Sequence, residues 1–487
     1  MRKTTRRAIF YGFLLAFLAA TPFIILYSLG YIPDIKEGRL NLTGGFFVKT
    51  NETGVNIAVN GAIEKQTGFL SRGALVNDVP PGTIAVEVTK EGFYPWRKAI
   101  EIEGQLVQEF PYILLIPRNL NSSIIAGATT SLPLSLVPKA LIPDPNGQKL
   151  FWATIERKAA LLRLIDRESG KDVRSGVFLP AGENFESASW NGDGSEVLVG
   201  ASGENSKRWY VIKADGGKPE RLFDPAGTLF LTSSATSSIQ VDQRLKLGAV
   251  KQVVWDISTA NRFYLYNGEN LYRWDRGARA ARPVLQRIEA FTVTGDEIIF
   301  INQSGFIGRA DLDGTITESL DRPGFFISEA QTPQIFKSTT GAIIVADSAG
   351  GLYYGEASAK KFKPVASNVS MIKFSPDEER LAYSNQDGEL FMLLFADENR
   401  QPFRPKNTPY QLIDAAVPIG NLIWFNKKST HIVFTTKNGI FITETDNRFG
   451  TNTTTLKTGQ FLIAAVPNDP NSFYFTDGEA IQEMTIK

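Results

Sequence analysis

Among the side chains that most often act as nucleophiles or hold transition metals, this 487-residue chain has one histidine, His431, and no cysteine. A lone imidazole cannot build a histidine metal site. Serine–histidine hydrolysis would need it beside a serine and a carboxylate. Without cysteine there is no thiolate ligand, haem attachment, thiol nucleophile or disulfide, and no acceptor for a lipid at a signal-cleavage site. No Gly-x-Ser-x-Gly elbow, Walker A loop or dinucleotide fingerprint occurs. The expectation is a protein with no catalytic residue, no cofactor and no metal. The binding chemistry that remains lies in Phe93, Tyr94 and Trp96, followed by Arg97 and Lys98. Such a group can stack on a sugar or dock a protein, with Tyr94 and Trp96 as the ligand-binding candidates. The alternative is that both are structural aromatics of a hairpin.

Two Asp/Gly-rich stretches, Asp311-Leu312-Asp313-Gly314 and Asn191-Gly192-Asp193-Gly194, look like fragments of calcium loops but lack the other ligands of an EF-hand. They read as hairpin turns, where Asp, Asn and Gly serve the backbone. Net charge is +1, from 52 basic and 51 acidic residues, which is no footprint for nucleic acid.

The elements that position these residues begin with a basic tail, residues 1–7, carrying Arg2, Lys3, Arg6 and Arg7. Residues 8–29 follow without a charge. At about 1.5 Å per residue they make a helix of roughly 33 Å, enough to cross a bilayer core of about 30 Å. Basic residues at one end keep that end cytoplasmic, so a single-pass protein of the cell membrane is expected, with its C-terminal domains extracytoplasmic. Tyr11, Tyr27 and Tyr31 near the ends suit the headgroup region, and Pro22 can kink the span. A signal peptide cleaved after Gly30 is the competing reading; its apolar region would be shorter, about 7–15 residues.

After a linker, residues 30–42, apolar residues alternate at Val55, Ile57 and Val59, then Ile84, Val86 and Val88, then Ile100 and Ile102. A period of two with one apolar face predicts half-buried strands. Asn60-Gly61 suits a tight hairpin. Residues 43–117 are thus expected to form a small β-sandwich that folds by itself. The segments Gly54-Val55-Asn56-Ile57-Ala58-Val59-Asn60-Gly61, Pro80-Pro81-Gly82-Thr83-Ile84-Ala85-Val86-Glu87-Val88 and Lys90-Glu91-Gly92-Phe93-Tyr94-Pro95-Trp96 resemble PEGA domains. The naming segment is degenerate, Asn51-Glu52-Thr53-Gly54-Val55 lacking the usual proline. The resemblance implies a spacing or docking module, not a catalyst.

Residues 118–487 repeat loosely at about 45 residues, the period of four-stranded propeller blades. Each unit runs apolar strand, polar turn, apolar strand, turn, strand, as in Ile372–Asp377, Arg380–Tyr383 and Glu389–Met392. That segment, with Ser375-Pro376-Asp377, resembles the WD40-like repeat of TolB-type propellers. Trp255-Asp256 and Trp274-Asp275 do not fall in a true WD40 register. The expected class is an all-β ectodomain: a PEGA-like β-sandwich, then a β-propeller of seven or eight blades. Because the last unit lacks a fourth strand, Ser122–Ala126 is expected to supply it and close the ring. The function expected is a binding or scaffold protein of the cell envelope, its partners membrane lipid through the helix and an envelope protein or glycan. The alternative is a propeller enzyme on envelope glycans using channel carboxylates.

Overall fold

The computed structural model describes residues 3–28, 30–34, 39–127, 137–156, 159–203, 207–216, 218–223, 228–231, 243–246, 249–256, 259, 261–278, 280–324, 327, 332–356, 360–400 and 402–486. Arg2 of the basic tail, Leu29 at the end of the uncharged run and residues 35–38 of the linker lie outside them, as do the side chains of Lys3 and Tyr27.

Helix α1 (Lys3–Ser28) starts five residues before the uncharged run and contains Pro22. Its Thr5–Leu26 stretch has a mean hydropathy of 2.3, is not buried within the protein, and is long and apolar enough to cross a membrane. Thr21 Oγ1 donates to the Phe17 carbonyl at 2.7 Å, a polar contact within the segment. Where a linker was expected, the chain forms a hairpin of β1 (Tyr31–Asp34) and β2 (Arg39–Leu42). Thr43 N and Oγ1 both donate to the Gly30 carbonyl, at 2.7 and 2.9 Å. Gly30 has φ +80°, and a Cβ there would meet the Thr43 carbonyl at 2.8 Å, so this close approach requires glycine.

Seven strands follow: β3 (Gly44–Thr50), β4 (Asn56–Val59), β5 (Ala62–Gln66), β6 (Gly73–Val79), β7 (Gly82–Thr89), β8 (Trp96–Ile102) and β9 (Val107–Ile113). They form two sheets, β6-β3-β9 and β5-β4-β7-β8. Both contribute to one core that includes Phe46, Val48, Ile57, Val86, Val88, Ile100 and Phe110. The alternation in β7 and β8 is thus the alternation between core and solvent. Asn60 and Gly61 both have positive φ, 50° and 87°, as a two-residue hairpin needs, and Asn60 Oδ1 accepts the Ala85 N–H at 2.9 Å.

Beyond residue 121, eight sheets follow in chain order. Their first strands are Val137–Pro143, Asn184–Trp190, Gln252–Trp255, Ile288–Val293, Gln334–Lys337, Val369–Phe374, Asn421–Phe425 and Leu462–Ala465. Each sheet is an antiparallel meander. The third is extended to six strands by a hairpin that joins parallel to Ala280–Leu285. Eight apolar clusters fill the gaps between consecutive sheets, from first–second to seventh–eighth and then eighth–first. The first strands of the first and eighth sheets touch. This is the closed ring of a β-propeller. The expected closing strand is present: β10 (Ser122–Gly127) pairs antiparallel with Ala480–Thr485 and completes the eighth sheet.

Indole donors staple neighbouring sheets. Trp190 Nε1 donates to the Ile142 carbonyl at 3.0 Å, Trp255 Nε1 to Ser189 at 3.1 Å, and Trp424 Nε1 to Lys373 at 3.0 Å. Each links the end of one first strand to the first strand before it, so the indole, half-buried in Trp190 and buried in the other two, has its one polar atom satisfied. The two Asp/Gly-rich stretches are turns: Asp311 Oδ1 accepts from Asp313 N and Thr315 N, and Asn191 Oδ1 from Ser195 N and Glu196 N.

Candidate functional site

The residues picked out for binding chemistry converge on the seam between the small domain and the propeller. Edge strands β8 and β9 face the hairpin turns of the sixth and seventh sheets. Trp96, at the start of β8, is 4% exposed, and its Nε1 donates to Glu444 Oε2 at 2.9 Å. Lys98 points the same way, because residues two apart on a strand share a face. Its ammonium lies 3.0 Å from Glu444 Oε1 and donates to the Asp446 and Arg448 carbonyls at 2.6 and 2.8 Å. It also lies over the rings of Trp96 and Phe110. Between these two residues, the Arg97 N–H at the outer edge of β8 is met by Asn452 Oδ1 at 3.0 Å. The propeller thus satisfies a sheet edge that would otherwise be open.

On β9, Arg448 Nη2 donates to the Glu109 carbonyl at 2.7 Å, and Arg448 also pairs with Asp446. Burial acts to raise the Asp446 carboxyl, but the Arg448 guanidinium and the nearby Lys98 hold it below the usual carboxylate range. Tyr112 lies beneath two cations, Arg400 and Lys428. Between the domains a void of about 30 Å³, bounded by Trp96, Phe110, Tyr112, Arg404 and Glu444, has room for little more than water. The seam is therefore filled by the protein's own groups. Tyr94 is 36% exposed, with the Arg118 guanidinium over its ring. The indole of Trp96 is enclosed.

His431, at the start of a strand of the seventh sheet, is 5% exposed behind this seam. Its Nδ1 lies 3.0 Å from Thr430 Oγ1 and 3.3 Å from Asn426 Nδ2. Burial, and after it the charge of Lys98, push its pKa down to about 3 from 6.5. No serine–carboxylate pair is formed with it by these contacts. Its linkage to folding follows. Below pH 6.5 the unfolded chain takes up a proton that the folded chain refuses until about pH 3. Stability therefore falls as pH drops through that window, by up to about 1.4 kcal/mol per unit. Urea midpoints at pH 7 and pH 5 should show the loss, and His431→Gln should flatten it, at the cost of some stability at pH 7. An unchanged pH slope in the variant would show that His431 is not held neutral.

Elsewhere, the first strands that border the ring's centre carry two carboxylates among the described residues, Glu186 and Glu289. Glu186 is paired with Lys207 at 2.8 Å. A cleft of about 420 Å³ lies at the hairpin-turn face between the fifth and sixth sheets, lined by Thr340, Tyr354, Glu356, Glu379, Phe395 and Lys406. Lys406 pairs with Glu356 there at 2.9 Å. Among the described residues, no group of three or more His, Asp or Glu could hold a metal ion.

Sequence reasoning missed Glu444, Asp446, Arg448 and Asn452, which complete the seam. Nothing local marks them, because Glu444 and its partner Trp96 are 348 positions apart.

No protein-family model and no curated protein matches the chain. Among solved structures, the chain is similar to the C-terminal WD40 domain of Sif2, at 11% identity and a TM-score of 0.48, over 75% of this chain and 98% of that one. It is also similar to the computationally designed Ika8 protein, at 12% identity and a TM-score of 0.44, over 74% of this chain and 99% of that one. Neither likeness bears on ligand or activity.

Proposed function

We propose that this chain is a membrane-anchored, extracytoplasmic binding or scaffold protein of the cell envelope, without catalytic activity. In this reading α1 is the anchor, the PEGA-like sandwich is the mount, and the eight sheets are eight blades of a protein- or glycan-binding head. The observation that carries it is the mode of attachment. The small domain is joined at one side to the anchor by the Gly30–Thr43 hydrogen bonds and at the other to the propeller by Lys98, Trp96 and Arg448. Every one of these propeller contacts is on the hairpin-turn face of the sixth and seventh sheets. The opposite face, where second strands turn into third strands, is left for a partner. The seam is a structural joint, which moves the binding role from Tyr94 and Trp96 to the open face of the head.

The absence of cysteine makes the test clean. Ser304→Cys and Asp387→Cys place a photo-crosslinker on the open face, and Asp296→Cys places one on the turn face. Envelope partners should be captured on intact cells from the first two and not from the third. External protease, with the outer wall permeabilised, should degrade the C-terminal domains. Capture from residue 296 alone, or full protection in cells with an intact cytoplasm, would refute this reading.

A further inference from the structure

The side of the small domain turned away from the propeller is built for a contact of its own. β8 and β9 are the edge strands covered by the propeller, and β5 and β6 are the opposite edges. The loop joining β5 to β6 holds Phe69 and Leu70, 83% and 85% exposed, more than any other large apolar side chain among the described residues, α1 included. Ile63, towards the other end of β5, is 67% exposed on the same edge. No core contact explains this pair, and two adjacent large apolar side chains in water mark an interaction site. Exposed Lys49, Lys65 and Arg72 surround the tip, against Glu64 on β5 and Asp78 towards the far end of β6 as the acids of that edge. Lys65 Nζ donates to the Leu75 carbonyl at 2.7 Å, which keeps its charge beside the tip. Pairing of β5 with a second copy is disfavoured by its own design: a bulge breaks its register opposite Ile57 and Ala58, and a lysine stands in the strand.

We propose that this edge is a second membrane contact, in which Phe69 and Leu70 enter the headgroup region of an anionic bilayer while Lys49, Lys65 and Arg72 meet its phosphates. This rests on the anchored reading of α1. Apolar side chains ringed by lysine and arginine are the chemistry of interfacial binding, where apolar burial and attraction to anionic lipid act together. The geometry permits both contacts at once. Gly73, just after the tip, pairs opposite Lys49 at the far end of β3 from Gly44 and the anchor. The seven residues of β3 span about 23 Å at roughly 3.3 Å each. With the anchor at one end and the tip at the other, the small domain lies along the bilayer on its β5–β6 edge. The propeller, held on the β8–β9 side, then sits above it with its open face outward.

The full chain carrying Phe69→Cys, labelled with an environment-sensitive dye, is reconstituted into vesicles of phosphatidylcholine and phosphatidylglycerol. The emission should shift to the blue and be quenched by spin-labelled lipid, whereas the same dye at Ser304→Cys should show neither. Vesicles of phosphatidylcholine alone, or the added Lys65→Glu and Arg72→Glu changes, should weaken the quenching. An unquenched dye on chains that stay in the vesicles after an alkaline wash overturns the tip contact and leaves the anchor intact. Loss of the chain in that wash overturns both. Copper-induced dimers of the unlabelled Phe69→Cys chain through its introduced thiol, with no lipid quenching of the labelled one, would assign the edge to a second copy instead.

Discussion

Lys98→Met should destabilise the protein by about 3–5 kcal/mol, the usual cost of stranding one member of a buried ion pair. The side chains of Lys98 and Glu444 are 1% and 6% exposed. Without the ammonium, the Glu444 carboxylate keeps the Trp96 indole and the Asn452 groups as donors but faces no cation at that distance. The Asp446 and Arg448 carbonyls lose their donor at the same time. Methionine preserves the apolar stem against Trp96 and Phe110, so the loss reports the charge and its hydrogen bonds. The double variant Lys98→Met with Glu444→Leu should recover only part of the loss, because it removes the stranded charge but leaves the Trp96 and Asn452 donors and the Asp446 and Arg448 carbonyls without these partners. Denaturant midpoints of the four proteins give the coupling. A second readout is proteolysis: a loosened seam should expose residues 117–121 to cleavage. If Lys98→Met lies within about 0.5 kcal/mol of wild type, in the range of an ordinary surface change, the seam is not formed in solution.

Ala126→Asp should be comparably severe, about 3–5 kcal/mol, by placing an unpaired carboxylate in an apolar cluster whose bordering guanidiniums, Arg163 and Arg167, are already paired with Asp172 and Glu483. Ala126 is 3% exposed and packs in the cluster that joins the eighth sheet to the first, among Leu141, Leu150, Trp152, Tyr474 and Ile481. It belongs to the one strand of the eighth sheet that comes from the N-terminal side of the ring. Losing it both unsatisfies the outer edge of Ala480–Thr485 and loosens the first–eighth junction, which holds the ring closed. The expected result is a thermal midpoint lowered by several degrees together with concentration-dependent aggregation, since an exposed strand edge recruits other edges. Ile124→Asp, two residues away, is the control. Ile124 is 71% exposed, so its replacement should leave the midpoint nearly unchanged. Equal behaviour of the two variants would show that β10 does not close the ring.

Much of the fold was legible in the chain because its signals are local. An uncharged run after a basic tail specifies a helix that can span a bilayer, by length and composition alone. Alternation at Ile84, Val86 and Val88 specifies a strand with one buried face. Asn60-Gly61 specifies the turn, because both residues tolerate positive φ. The recurrence of such strands, with an incomplete last unit and a spare apolar run at Ser122–Ala126, was enough to anticipate a ring closed between its two ends. The hairpin of β1 and β2 was not anticipated, because Tyr31–Asp34 and Arg39–Leu42 are too short for a period to register.

What the sequence could not decide was which surfaces are free. Phe93-Tyr94-Pro95-Trp96-Arg97-Lys98 admits both a structural hairpin and an exposed binding patch, since alternation states which side chains share a face and not what covers that face. Only the tertiary structure brings Glu444, Asp446 and Asn452 to Trp96, Lys98 and the edge of β8, and thereby encloses two side chains of that segment. The same holds for His431. It stands at a strand start, yet the packing around it removes it from water and, with the charge of Lys98, pushes its pKa down. Strand and turn are set by neighbours in the chain, a few bonds apart. Burial of a charge is set by groups hundreds of residues away, and its cost or benefit depends on the distance between them, which no local pattern encodes.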